Sequence, residues 1–290
     1  MRKDERLTYI SESGERVEIS TRSYYTPFWL EDVEGIDGLD NTVNTAKGSG
    51  QAGETFISMT PDKRRITISG KIMRDQAENR RVLIRAFNVL YSGRLVYERG
   101  ALALNIECKI KKAPKFSNTA FEEFDVVLEC PYPYFKLGDG TTENRVEIAS
   151  WIGGIAFEFA IPDAGIGFEE RAQSLITNIY NEGEAEAGMK IKFKATGTAS
   201  NPSLTHIGLQ KKIELDVDMQ TGDIVTVSTG YGKKRATLMR AGVETNIFNK
   251  ITADSNWLQL MPGDNLLRYN ATPIENIEVV VTFDTLYGGV

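Results

Sequence analysis

Histidine and cysteine are nearly missing from this chain: among 290 residues there is one histidine, His206, and two cysteines, Cys108 and Cys130. Nucleophilic catalysis through an imidazole would have to use His206 itself. That residue sits in NPSLTHIG, just after Asn201-Pro202, where a structural or exposed imidazole is a simpler reading than a general base. Zinc is excluded on similar grounds, because Cys108, Cys130 and His206 would supply three ligands from two expected domains. Two cysteines make no disulfide scaffold, and a chain this long does not require one, which suits a reducing compartment. No apolar h-region follows the charged start MRKDERLTYISESGERVEIS, so no signal peptide is expected. The longest apolar runs, such as IEVVVTF, are strand-sized and far below the ~20 residues of a membrane helix. Basic charge is not in surplus either: 34 Lys and Arg face 40 Asp and Glu, a net charge of −6, which argues against general affinity for nucleic acid. These absences nominate no catalytic residue, no metal ligand and no cofactor.

What is present is ordinary for a soluble globular protein, at 41% hydrophobic and 26% charged residues, and the length favours two domains. No internal repeat or low-complexity tract appears. Most segments alternate with period two, the pattern of strands with one buried face. RRITISGKIM places Ile66, Ile68 and Ile72 on one face. ALALNIECKI does the same with Leu102, Leu104, Ile106, Cys108 and Ile110, and FDVVLEC with Phe124, Val126, Leu128 and Cys130, so both cysteines read as small core residues. One segment breaks the pattern. DQAENRRVLIRAFNVLYSG opens with Asp75 and Glu78, an acidic variant of the capping box, and closes at Gly93. Between them Arg80, Leu83, Phe87, Leu90 and Tyr91 recur at spacings of three and four, which predicts a helix over about 75–92 with Leu83, Phe87 and Leu90 covering a sheet.

Pro131, Pro133, Gly138 and Gly140 mark the best boundary, within about 131–145. The expected domains are 1–135, a β-domain with the one packed helix, and 136–290, an antiparallel β-sandwich or jelly roll. In the second, GMKIKFKA buries Met189, Ile191 and Phe193, and NIEVVVTF buries Ile277, Val279, Val281 and Phe283. FEERAQSLITNIYNEGEAEAG suits a short helix or a strand, with strand favoured. WLQLMPGDNLLRYNA reads as a buried hairpin turning at Pro262-Gly263-Asp264-Asn265, with Trp257, Leu258 and Leu260 on one side and Leu266, Leu267 and Tyr269 on the other.

Several motifs fail on their physics. GSGQAG, with Gly48, Gly50 and Gly53, matches the dinucleotide fingerprint in letters, but that motif needs a buried strand before it and a helix after it. NTVNTAK and ETFISMTPDK supply neither, and a flexible loop is the better reading. DVDMQTGD, with Asp216, Asp218, Gln220 and Asp223, departs from a calcium loop: its glycine is seventh, not sixth, and the twelfth residue is Val227. Both aspartates 216 and 218 fall on the solvent face of a strand. The basic clusters Lys63-Arg64-Arg65 and Lys233, Lys234, Arg235, Arg240 read as solvated strand ends. No pair among the acidic residues stands out as a glycosidase pair.

The ordered set of segments resembles the distal tail protein family (Dit) of siphovirus-type bacteriophage tails. PFWLEDVEGIDGLDN, GQAGETFISMTPDKRRITISGKI and FDVVLECPYPYF carry the likeness in the first half. GGIAFEF, TASNPSLTHIGLQKKIELDVDMQTGDIVTVSTGYGKK, SNWLQLMPGDNLLRYNA and VVVTFDTLYGGV carry it in the second. The resemblance implies an N-terminal β-domain with a helix, assembled into a hexameric ring, and a C-terminal galectin-like β-sandwich. It further implies a non-enzymatic structural hub of the virion tail that joins the tail tube protein to baseplate or tail-tip proteins. Receptor-binding proteins are further partners on that reading, and DNA passes through a central channel. Such a protein would be made and assembled in the bacterial cytoplasm, without membrane insertion. Residues 1–23 are more charged than the resemblance leads one to expect and read as an extra strand or arm for subunit contacts. The Gly/Asn/Ser/Thr-rich segment 35–60 reads as an interface loop or arm, too polar for a core and too long for a turn. The competing expectation is a carbohydrate-binding β-sandwich module, with exposed aromatics such as Trp151 or Trp257 stacking on sugars.

Overall fold

The computed structural model describes residues 4–290 apart from 23, 25, 120, 141–143, 150, 153–169 and 172–175. GGIAFEF, at 153–159, lies outside the described residues. The chain forms two compact units, residues 1–142 with 286–290, and residues 143–285.

The first unit runs β1 (Glu5–Ser11), β2 (Arg16–Ser20), β3 (Phe28–Glu34), β4 (Asn41–Ala46), β5 (Thr55–Pro61), β6 (Arg64–Ile72), α1 (Gln76–Ala86), β7 (Ser92–Arg99), β8 (Leu102–Phe116), β9 (Glu123–Cys130) and β10 (Phe135–Leu137). Eight of its strands lie in the order β10-β8-β7-β1-β2-β3-β6-β9, and the sheet closes on itself because the second half of the long β8 also pairs with β9. Closure follows from alternation. In β6, Arg64, Ile66, Ile68, Gly70 and Ile72 point inward, and Phe124, Val126, Leu128 and Cys130 of the neighbouring β9 meet them with 0–1% exposure. Leu104, Ile106, Cys108 and Ile110 of β8 complete that interior, while Leu102 at the strand start is exposed. Of the two readings of the charged N-terminal segment, strand or arm, it is strand: β1 and β2 sit inside the sheet between β7 and β3, burying Leu7, Tyr9, Val17 and Ile19.

Helix α1 is shorter than its sequence pattern. It begins after Asp75, whose left-handed backbone (φ 48°) leaves its carboxylate without a capping bond, so the expected capping box does not form; Glu78 N–H instead donates to the Asp75 carbonyl at 3.1 Å. It ends at Ala86, because Asn88 starts a turn that accepts the Tyr91 N–H at 3.1 Å on its carbonyl and the Leu90 N–H at 3.0 Å on its side chain. Leu83 and Phe87 are buried as expected, with Phe87 stacked on Tyr9 at 4.4 Å, but Leu90 is 81% exposed. Gly93 belongs to β7, where any Cβ would overlap the Tyr9 ring.

The second unit runs β11 (Asn144–Ala149), β12 (Trp151–Ile152), β13 (Glu170–Arg171), β14 (Ile176–Asn181), β15 (Ala187–Ala195), β16 (Ala199–His206), β17 (Lys211–Glu214), β18 (Asp218–Met219), β19 (Ile224–Ser228), β20 (Arg235–Arg240), β21 (Val243–Asn246), β22 (Gln259–Leu260), β23 (Gly263–Thr272) and β24 (Ile277–Phe283). One antiparallel sheet has the order β11-β24-β15-β19-β20-β21, with β22 on β15. The other has the order β14-β23-β16-β17, with β18 on β16. Met189, Ile191 and Phe193, the alternating set read from the sequence, are buried in the first sheet, and Leu204, Leu267 and Tyr269 are buried in the second. Residues 176–181 of the undecided segment are the strand β14.

WLQLMPGDNLLRYNA is not a hairpin. β22 pairs with β15 in the larger sheet, whereas β23 pairs with β14 and β16 in the smaller, so Met261-Pro262 carries the chain from one sheet to the other. Asn265, fully buried, fixes this crossing. Its Nδ2 donates to the carbonyls of Met261 (2.8 Å), Gly263 (2.8 Å) and Ile179 (3.2 Å), and its Oδ1 accepts the Met261 N–H at 2.8 Å. Leu258, Leu260, Leu267 and Tyr269 are buried, Trp257 is half-buried and Leu266 is exposed. After β24 the chain re-enters the first unit, where β25 (Leu286–Tyr287) pairs with β10.

Candidate functional site

The residues that sequence chemistry would nominate are engaged in structure. His206 closes β16 and is 4% exposed; the Leu209 N–H donates to Nδ1 at 3.3 Å, leaving Nε2 to donate to Asn265 Oδ1 at 2.9 Å. Cys108 and Cys130 are both buried free thiols, and contact with Cys130 together with burial pushes the Cys108 thiol well above its ordinary range. In DVDMQTGD, Asp216 and Asp218 are exposed and Asp223 is buried. Arg240 grips Asp223 through Nη2 at 2.6 Å and Nε at 3.0 Å, and with the Gln220 N–H at 2.7 Å this holds the carboxyl below its usual range. Among the described residues no group of three or more His, Cys, Asp or Glu is arranged to hold a metal ion. Trp151 lies in β12, but its side chain is outside the described residues. Trp257 stacks on Phe248 at 5.5 Å and has the Lys234 ammonium 5.2 Å from its ring centre.

The basic cluster at 63–65 divides in a way the sequence did not signal. Lys63 and Lys111 flank Glu129 at 3.0 and 2.9 Å, and these charge-assisted bonds bring that carboxyl down to about 2. Arg64, by contrast, is no solvated strand end: it is 6% exposed, because the alternation of β6 turns it inward at the strand's first position. Its guanidinium donates to the carbonyls of Gly35 (2.6 Å), Asp37 (2.8 Å), Pro133 (2.8 Å) and Gly288, and lies 4.9 Å from the Phe135 ring centre. Burial lowers its pKa from the ordinary arginine value, but a guanidinium stays charged. One side chain thus ties together the loop after β3, the segment before β10 and the residues after β25. Gly35 belongs to the same knot: with φ 80° any Cβ there would strike the Arg65 carbonyl.

The remaining feature is a surface. β4 and β5 form a two-stranded antiparallel ribbon that pairs with no other strand among the described residues, and the fingerprint-like GSGQAG is its turn region. GSGQAG is thus a loop, as expected, and most of the segment 35–60 around it is a hairpin. Polar pins hold it: Thr42 Oγ1 to Asp62 at 2.9 Å, Asn44 Nδ2 to Ser58 Oγ at 3.0 Å, Thr45 to Glu54, and the Gly48 N–H to Gln51 Oε1 at 2.9 Å. Register places Val43, Met59 and Phe56 on one face, with Ile57 as the extra residue of a bulge between the Asn44–Ser58 and Thr45–Phe56 pairs. All four are exposed, at 55%, 58%, 61% and 62%. A lone ribbon is marginal in water, and this one shows solvent a row of large apolar side chains, which is the character of an interaction surface.

Comparison with known proteins agrees with this architecture. Residues 182–287 match the family described as siphovirus-type tail component, C-terminal domain. Among solved structures, the SPP1 Dit (gp 19.1) protein, described as a paradigm of the hub adsorption apparatus in phages infecting Gram-positive bacteria, superposes with a TM-score of 0.65 at 11% identity, covering 96% of this chain and 98% of that one. A chain of the phage P2 baseplate in its activated conformation with Ca gives 0.52 at 8% identity over 97% of this chain and 98% of its own. The same baseplate with Sr gives 0.51 at 9% identity over the same shares. At these identities the likeness is one of fold. No curated protein sequence matches the chain.

Proposed function

We propose that this protein is a non-enzymatic structural hub of a phage or prophage tail, because residues 182–287 match the family described as siphovirus-type tail component, C-terminal domain, and the chain shares its fold with a distal tail protein over 96% of its length. It works as a homo-oligomeric, hexameric ring whose opposite faces bind the tail tube protein and the baseplate or tail-tip proteins, with a channel for DNA. The observation that carries the reading is the coincidence of the family match with a fold likeness spanning both units. The unpaired β4–β5 ribbon supports the assembly step, since a marginal apolar hairpin gains most from a neighbour that covers it. A net charge of −6 suits a protein that must let DNA pass without holding it.

Light scattering on the purified protein, with negative-stain images of the same fraction, tests this. The expected species has about six times the 32.3 kDa chain mass and ring-shaped views. A chain that remains monomeric at every concentration, alone and with its tail partners, overturns the ring. The second reading, a carbohydrate-binding module, draws on Tyr231 (57% exposed) and Phe248 (47% exposed) beside Trp257. Against it, Trp257 is already engaged by Phe248 and Lys234. Binding of the protein to a glycan array, abolished by Phe248→Ala, would promote it.

A further inference from the structure

The hairpin has a chemically distinct counterpart on the same unit. Where α1 ends, Ile84 (49%), Val89 (57%), Leu90 (81%) and Tyr91 (43%) stand exposed together in sequence, because the helix stops at Ala86 and the Asn88 turn throws Val89 and Leu90 outward. Neither patch is covered by the described residues of the chain. Their charges are opposite. Segment 40–62 holds Asp40, Glu54 and Asp62 against Lys47, a net −2; segment 73–92 holds Arg74, Arg80, Arg81 and Arg85 against Asp75 and Glu78, a net +2. Arg80 is held by Glu122 at 3.3 Å and Arg85 lies 3.9 Å from Glu15, whereas Arg74 and Arg81 are exposed.

We propose that the Val43/Phe56/Ile57/Met59 face of the β4–β5 hairpin docks on the Ile84/Val89/Leu90 ridge of α1 in a second copy of this chain. Two unlike patches that complement each other make a head-to-tail contact, which propagates in one direction and closes into a ring if its rotation allows; a patch that bound only itself would stop at a dimer. Hairpin against hairpin is disfavoured, because it brings two net −2 segments together. Opposite charge around an apolar centre is the usual anatomy of a specific contact, with the buried residues supplying affinity and the rim supplying orientation. The four hairpin side chains are each more than half exposed, so burying them recovers most of their transfer free energy. This inference rests on the ring reading and adds to it which two surfaces meet.

Cysteine cross-linking separates the two claims. Ile57→Cys and Leu90→Cys are prepared as separate variants of the full chain; both sites are exposed, and native Cys108 and Cys130 are buried, so background coupling is low. An equimolar mixture treated with diamide, which takes two electrons and two protons from the thiol pair, is expected to give a disulfide-linked heterodimer in high yield. Each variant alone should give little. As a second readout, Arg81→Glu should weaken association roughly tenfold at low salt and much less at high salt, with Asp40→Lys in the partner restoring it. If the wild type assembles but the link forms only between two Ile57→Cys copies, or not at all, the docking proposal falls and the ring stands. If the wild type never assembles, both fall.

Discussion

Serine in place of Phe56 is the sharpest single test of the assembly surface. The ring is 61% exposed in the lone chain, and complete burial of such a side chain contributes about 1.5–3 kcal/mol. Covering the exposed fraction is therefore worth ~1.5 kcal/mol per contact, and its loss should raise the pairwise dissociation constant about tenfold. A closed ring of n copies has n contacts for n − 1 association steps, so the concentration for half-assembly should rise by slightly more than that. Adding Ile57→Ser and Met59→Ser should bring the loss to ~4 kcal/mol, on the order of a thousandfold. Because these side chains are each more than half exposed in their own chain, the stability of the dissociated protein should change little, within ~0.5 kcal/mol. Analytical ultracentrifugation over a concentration series gives the first quantity and calorimetry the second. A half-assembly concentration moved less than twofold by the triple variant would refute the reasoning, as would a large fall in the dissociated chain's stability.

The other predictions concern the hairpin turn and the buried polar knots. Deleting residues 44–53 should weaken ring formation while leaving both units folded, read by native mass and circular dichroism; unchanged rings would remove the hairpin from the interface. Arg64→Met should lower the stability of the first unit by roughly 3–5 kcal/mol, since four carbonyl acceptors lose one charged partner, with thermal unfolding as the measure. Asn265→Ala should cost on the order of 2–4 kcal/mol in the second unit by leaving buried backbone groups unpaired at the sheet crossing, again read by thermal unfolding. For Arg240→Ala the effect is pH-dependent. The folded carboxyl of Asp223 titrates below its unfolded value of about 3.9, so its contribution is present above that pH and is lost as pH falls through the folded value. The stability gap between wild type and Arg240→Ala should be full at neutral pH and shrink as pH falls below ~4; a gap independent of pH between 3 and 7 would contradict the pairing.

Much of this protein was legible because period-two alternation is a local property. Ile66, Ile68 and Ile72, or Val279, Val281 and Phe283, must share a face wherever the strand lies, so the β class and most core residues followed from the chain alone. The core placement of both cysteines followed in the same way. Helix α1 shows the limit: its 3.6-residue periodicity was present, but its end was set by a turn at Asn88 and by the need to admit Gly93 beside Tyr9 in β7. Partner choice was likewise invisible. Trp257 to Tyr269 has the letters of a hairpin, and only the competition of β15 for one arm and of β14 and β16 for the other made it a crossing between sheets. Arg64 carried no signal because charge in a basic triplet suggests solvent, and its four acceptors come from residues 35, 37, 133 and 288, which only the closed fold brings to one point. The sequence by itself therefore determined which side chains must be hidden, a matter of local period and hydrophobicity. Which hidden groups meet, and which apolar ribbon stays exposed among the described residues, was decided by long-range pairing in three dimensions.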